Sequence, residues 1–105
     1  NNLNVLQVYN TTDVNNPILI HSRNLTYPKG LSLYNDYLFV CDDVIKIFDI
    51  QNPAEPILVN TINKECFDII INNNTFYAIG NYGLYRYELN PNNINDIQYK
   101  SEVVF

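Results

Sequence analysis

Residues 44–57 read Val44-Ile45-Lys46-Ile47-Phe48-Asp49-Ile50-Gln51-Asn52-Pro53-Ala54-Glu55-Pro56-Ile57, and they decide the fold. An apolar, β-branched run ends beside an acid, a cluster of turn formers follows, and a second apolar run opens at Ile57. That is strand, turn, strand. Proline lacks an N–H and fits the first position of a strand, so Pro56 is expected at a strand start. The next runs, Phe67 to Ile71 and Thr75 to Ile79, flank an Asn-rich turn. The four segments Val44–Ile50, Ile57–Ile62, Phe67–Ile71 and Thr75–Ile79 are short, closely connected and suited to an antiparallel meander. They are apolar on both faces, which implies cover on both sides.

The same text recurs along the chain. Thirty-nine positions earlier, Val5-Leu6-Gln7-Val8-Tyr9-Asn10 matches Val44 to Asp49, and Pro17-Ile18-Leu19-Ile20 matches Pro56 to Val59. Thirty-nine positions later, Leu84, Tyr87, Glu88 and Leu89 stand for Ile45, Phe48, Asp49 and Ile50. At an offset of thirty-eight, Leu31 to Asp36 matches Ile69 to Asn74. The chain thus reads as one repeat segment, 1–105, of about two and a half units, roughly 5–43, 44–82 and a partial 83–105. Stacked four-stranded sheets repeating near forty residues are the pattern of β-propeller blades. Helical repeats of this period need long segments with a 3.6-residue rhythm, which are missing. The expected fold is all-β, built from antiparallel four-stranded blades.

These residues resemble the LVIVD repeat, in which an apolar strand ends in Asp and an Asn/Asp-Pro-x-x-Pro turn leads to the next strand. The copy at 44–57 is clear. The earlier copy keeps Pro17 but has Asn10 for the Asp, and the later one has Glu88 there and lacks the second Pro. The resemblance implies a propeller, commonly in extracellular or cell-surface proteins and generally without assigned activity. The family shares no catalytic residues, so it supplies none here.

Composition narrows the function. The 105 residues carry a net charge of −5, against the clustered positive charge that nucleic acid or an anionic membrane surface requires. No apolar run is long enough for a membrane-spanning helix, so no membrane insertion is expected. The chain does not begin with Met, and the expectation is a trimmed product or part of a longer one. Nineteen Asn gather at the turns, where Asn tolerates positive φ and bonds its own backbone.

Candidate chemistry is thin. His21 is the sole histidine and is expected at a solvent-facing strand end, away from metal-ligand partners. Cys41 and Cys66 stand in different contexts, Cys41 filling a small apolar site, with a disulfide or metal site as the less favoured readings. Asp42-Asp43 reads as turn chemistry rather than a calcium loop. Asn10, Asp49 and Glu88 end equivalent strands and should accept hydrogen bonds from the following turn. No paired acid and base, nucleophile motif or phosphate-binding glycine loop appears, so no catalytic residue, cofactor or metal is expected.

The candidate recognition surface is Tyr77, Tyr82, Tyr85 and Arg86, because tyrosine offers rigid contact area with a polar tip. Tyr87, by contrast, replaces core Phe48 and Tyr9. Arg86 stands where Ile47 and Val8 stand, so it needs either a partner such as Glu88 or an open face. Candidate glycosylation sequons begin at Asn10, Asn24 and Asn73, close to the number chance supplies. The expected function is a non-enzymatic interaction or structural module contacting a protein, further blades of the same polypeptide, or copies of itself as a homo-oligomer. The alternative is a carbohydrate-binding propeller lectin assembled from short chains, against which the absence of Trp weighs.

Overall fold

The computed structural model describes residues 4–105, so Leu3, at the head of the first apolar run, lies outside them. The described residues form ten strands: β1 (Val5–Asn10), β2 (Ile18–Asn24), β3 (Leu31–Tyr34), β4 (Tyr37–Cys41), β5 (Ile45–Asp49), β6 (Ile57–Ile62), β7 (Asp68–Asn72), β8 (Thr75–Ile79), β9 (Gly83–Asn90) and β10 (Asn93–Val104). Among the described residues there is no helix. The strands form three antiparallel sheets: β1-β2, β3-β4-β5-β6 and β7-β8-β9-β10. Pro17 and Pro56 each stand immediately before a strand, as the repeat alignment requires.

One expectation needs correcting. The segments β5, β6, β7 and β8 do not form a single meander, because β5 and β6 close one sheet while β7 and β8 open the next. The sheet boundaries fall inside the expected units, between β2 and β3 and between β6 and β7. Unit 5–43 likewise runs through two strands of one sheet and two of the following one. Phase is set by the connections. Two-residue turns at Asn35-Asp36 and Asn73-Asn74 hold Asn35 and Asn73 at φ of 53° and 56°, which folds the chain back within a sheet. Residues 25–30 and 63–67 instead carry it from one sheet to the next.

Alternation then decides which side chain meets which sheet. Leu38, Val40 and Phe48 face the two-stranded sheet and pack with Leu6, Leu25 and Ile50. Phe39, Cys41, Ile45 and Ile47 face the other way, onto Ile69, Phe76, Ala78 and Tyr87 of the last sheet. A run of aromatic contacts crosses that second boundary, with ring centroids 6.3 Å apart for Tyr34–Phe39, 5.2 Å for Phe39–Phe76, 5.2 Å for Phe76–Tyr87 and 5.6 Å for Tyr87–Tyr99. Ile45, Ile47 and Ile69 are buried as expected, Lys46 is half-buried, and Ile71 only partly enters the core.

A structural repeat accompanies the sequence repeat. The pairing slips by one residue at Val8/Tyr9 opposite β2, at Ile47/Phe48 opposite β6 and at Arg86/Tyr87 opposite β10. The extra residues are Ile20, Val59 and Lys100. A bulge at the same place in each sheet increases the local twist in the same way.

The alternation can be tested on one inward-facing and one outward-facing isoleucine. Ile47→Ala should cost about 2–5 kcal/mol through the cavity it leaves. Ile70→Ala, on a side chain 52% exposed beside buried Ile69, should stay within about 0.5 kcal/mol. Urea midpoints of the two variants give the comparison, and equal losses would mean that β7 is out of register.

Candidate interaction surface

The four residues singled out for recognition do not share one face. Tyr77 and Arg86 sit opposite each other in register on β8 and β9, on the side of the last sheet turned away from the core. Tyr82 projects from the β8–β9 turn and is 75% exposed. Tyr85 faces the opposite way, packed against the core with the Lys64 ammonium 4.3 Å from its ring centroid. Arg86 donates from Nε to Ser101 Oγ at 3.1 Å rather than pairing with Glu88. Its face is open, which removes the need for a buried counter-ion. The outward group is therefore Tyr77, Tyr82 and Arg86, bordered by half-exposed Ile70 and Val103.

The sequon asparagines all lie at the surface. Asn10 is engaged in its own turn, where its Oδ1 accepts from Thr12 N at 2.9 Å and Thr12 Oγ1 at 2.6 Å. Asp49 acts likewise toward Gln51 N at 2.9 Å. In the third copy this role passes from Glu88 to Asn90, which accepts from Asn92 N at 2.9 Å.

A shallow open depression of about 240 Å³ lies at the end of β9, lined by Glu88, Leu89, Asn90, Pro91, Asp96 and Gln98. Asn90 Nδ2 and Gln98 Nε2 donate to the two Asp96 oxygens at 3.0 and 2.6 Å. Those hydrogen bonds hold the Asp96 carboxyl below its ordinary value. A proton-donating acid needs the reverse shift, so Asp96 is not set up as a proton donor.

Two polar groups differ from the sequence expectation. His21 is not at a strand end but in the middle of β2, half-buried, and its enclosed Nε2 meets no hydrogen-bond partner. Its counterpart Asn60 donates from Nδ2 to Ile94 O at 3.2 Å, reaching the next sheet. Asp42 is fully buried rather than a solvated turn residue. It accepts from Thr26 N at 2.9 Å, Tyr27 N at 2.5 Å and Lys46 Nζ at 2.7 Å. Burial pushes its carboxyl up, but Lys46 and the two amides outweigh burial and hold it below the usual range. Lys46 is held above its ordinary value, first by Asp42 and then by Asp43 at 3.2 Å. The arrangement pins the 25–30 connection to the β4–β5 turn. The signal was legible in principle: a lone Lys on a strand between Ile45 and Ile47, four residues after an acid.

Among the described residues, no three His, Cys, Asp or Glu side chains gather as metal ligands, and no helix is long and apolar enough to cross a membrane. Neither a family model nor a curated protein matches the sequence. Among solved structures, the crystal structure of a functionally unknown protein from Desulfotomaculum acetoxidans DSM 771 is similar, with a TM-score of 0.76 and 14% sequence identity. The likeness covers 99% of this chain and 36% of that one. The chain thus shares its all-β arrangement of antiparallel sheets with about a third of a longer protein.

Proposed function

We propose that the chain is a β-propeller segment of LVIVD type, working as a non-enzymatic interaction and structural module at a cell surface or outside the cell. One observation carries the reading: equivalent apolar positions are covered between the two four-stranded sheets and uncovered at the first. Ile69 on β7 is 4% exposed beneath β3 and β4, whereas its counterpart Leu31 on β3 is 59% exposed and Leu33 is 62% exposed. Leu31 and Leu33 pair with Val40 and Leu38, so all four share the face turned toward the two-stranded sheet. That sheet covers the β4–β5 side of the face and has no strands over β3. The missing cover corresponds to a hairpin like β3–β4, added to the free edge of β1. The conserved position of the bulge in all three sheets supports the same twist from sheet to sheet, as radial stacking needs. Further blades of a longer polypeptide or a second copy of the chain would supply the hairpin, and the outward Tyr77, Tyr82 and Arg86 face would meet a protein partner.

Light scattering at high micromolar concentration tests this reading. The 105-residue chain is expected to self-associate, and the Leu31→Asp/Leu33→Asp variant to do so less while keeping its strand circular dichroism. A wild-type chain that stays monomeric and unfolds cooperatively would overturn the module reading.

A further inference from the structure

We propose that Cys41 and Cys66 are an oxidisable pair that closes into a disulfide, locking the two four-stranded sheets to each other. Cys41 ends β4 in the middle sheet, and Cys66 lies in the connection just before β7. Both are completely buried, and their Sγ atoms stand 2.6 Å apart. They are the chain's two cysteines, so neither has a competing thiol within the molecule.

The backbone around them is built for close approach. Cys41 N donates to Gly30 O at 2.8 Å, and Lys29 N donates to Cys41 O at 2.9 Å. A Cβ on Gly30 would stand 2.9 Å from Phe67 O, and a Cβ on Gly80 would stand 2.7 Å from Glu65 O. Both glycines therefore let the 65–68 segment sit directly against its neighbours, which a side chain would push away. Phe67 N donates to Ile79 O at 2.8 Å, and Lys29 and Glu65 pair at 3.7 Å, fixing the segment from both sides. The two sulfurs are thus held together by backbone contacts on each side and do not depend on a flexible loop.

The chemistry is thiol–disulfide exchange with a small disulfide such as oxidised glutathione. The hydrogen bond from Cys66 lowers the Cys41 thiol below its ordinary value, while that bond and burial push Cys66 up. With Cys41 as the first nucleophile, its thiolate bonds to one glutathione sulfur and the other leaves as a thiolate. The Cys66 thiol then loses its proton to solvent and its sulfur attacks Cys41, releasing the second glutathione. Two protein thiols are oxidised to one disulfide, and one glutathione disulfide is reduced to two thiols. Because both sulfurs are enclosed, exchange takes place during folding or when the sheets open locally. Such a cross-link belongs to an oxidising compartment.

The test is peptide mapping of the full chain refolded in oxidised glutathione, with free thiols alkylated under denaturing conditions. A peptide linking Cys41 to Cys66 within one chain, lost on adding reductant, is the expected result. The melting temperature should fall by roughly 10 °C or more in reductant, given the 25-residue separation. The Cys41→Ser/Cys66→Ser variant should not respond to reductant. Separate alkylation of both cysteines, cross-linking only between chains, or an unchanged wild-type melting temperature would each overturn the proposal.

Discussion

Phe39→Ala is expected to cost about 3–5 kcal/mol, as for other large aromatic truncations in a packed core. Phe39 is fully buried, touches Tyr34 on its own sheet and meets Phe76 edge-on across the sheet boundary. Removing it forfeits transfer energy, opens a cavity and cuts the aromatic run at its crossing point. A domain of this size has a total stability of only about 5–15 kcal/mol, so the loss is a large fraction of the whole. Urea titration checks it. A lower midpoint with an unchanged slope is the expected result, whereas a loss under about 1 kcal/mol would show that the two sheets do not pack through Phe39.

Asp42→Ala should be comparably damaging, at about 3–5 kcal/mol, because it removes the acceptor of two backbone amides and the nearer of the two carboxylates that hold the half-buried Lys46 ammonium. Lys46→Met should cost less, since Asp42 keeps its hydrogen bonds from Thr26 and Tyr27. The pH dependence has a definite sign. The folded Asp42 carboxyl titrates below its usual 3.8, so its contribution is present above that value and is lost as pH falls through the lower folded value. Lys46 titrates above its usual 10.5, so its contribution is present below 10.5 and is lost as pH rises through the higher folded value. Wild-type stability should therefore drop below about pH 4 and again above about pH 10, and Asp42→Asn should flatten the acid limb. Chemical denaturation across that range would show it. An unchanged acid limb in Asp42→Asn would mean that other carboxylates dominate acid unfolding.

Sequence patterns read strands well here because hydrophobic side chains and turn residues alternate over short distances. Ile57–Ile62 and Thr75–Ile79 have the bounds expected, and Ile45, Ile47 and Ile69 are buried where the 39-residue register puts them. The pattern says which positions turn inward but not which sheet they meet, since one-dimensional repetition looks the same whatever its starting point. Sheet membership is settled by the 25–30 and 63–67 connections, whose composition differs little from that of the hairpin turns. The burial of the Asp42–Lys46 pair, as distinct from its i, i+4 spacing, was not legible for a related reason: an acid in a turn looks solvated until another connection folds over it. Arg86 stands where its repeat equivalents Val8 and Ile47 are apolar, and of the two readings this left, a paired or an open position, the open one holds because its face has no neighbouring sheet. Tyr85 was grouped with Tyr77 by sequence proximity, although a separation of eight residues across a hairpin turn leaves them on opposite faces.

The aromatic run between the two four-stranded sheets also gives the protein a built-in optical gauge. With no Trp, its near-ultraviolet signal comes from Tyr and Phe, and Tyr34 and Tyr87 are buried at that boundary, where Tyr34 also donates its hydroxyl to Asn74 Oδ1 of the facing sheet at 2.8 Å. Fixed, asymmetric surroundings give such rings a near-ultraviolet circular dichroism that vanishes when packing loosens, while the far-ultraviolet signal follows the strands themselves. The two bands therefore monitor different events in an unlabelled chain. If they fade together, the sheets come apart as they unravel; if the tyrosine band fades first, the sheets slide free of each other with their strands still paired.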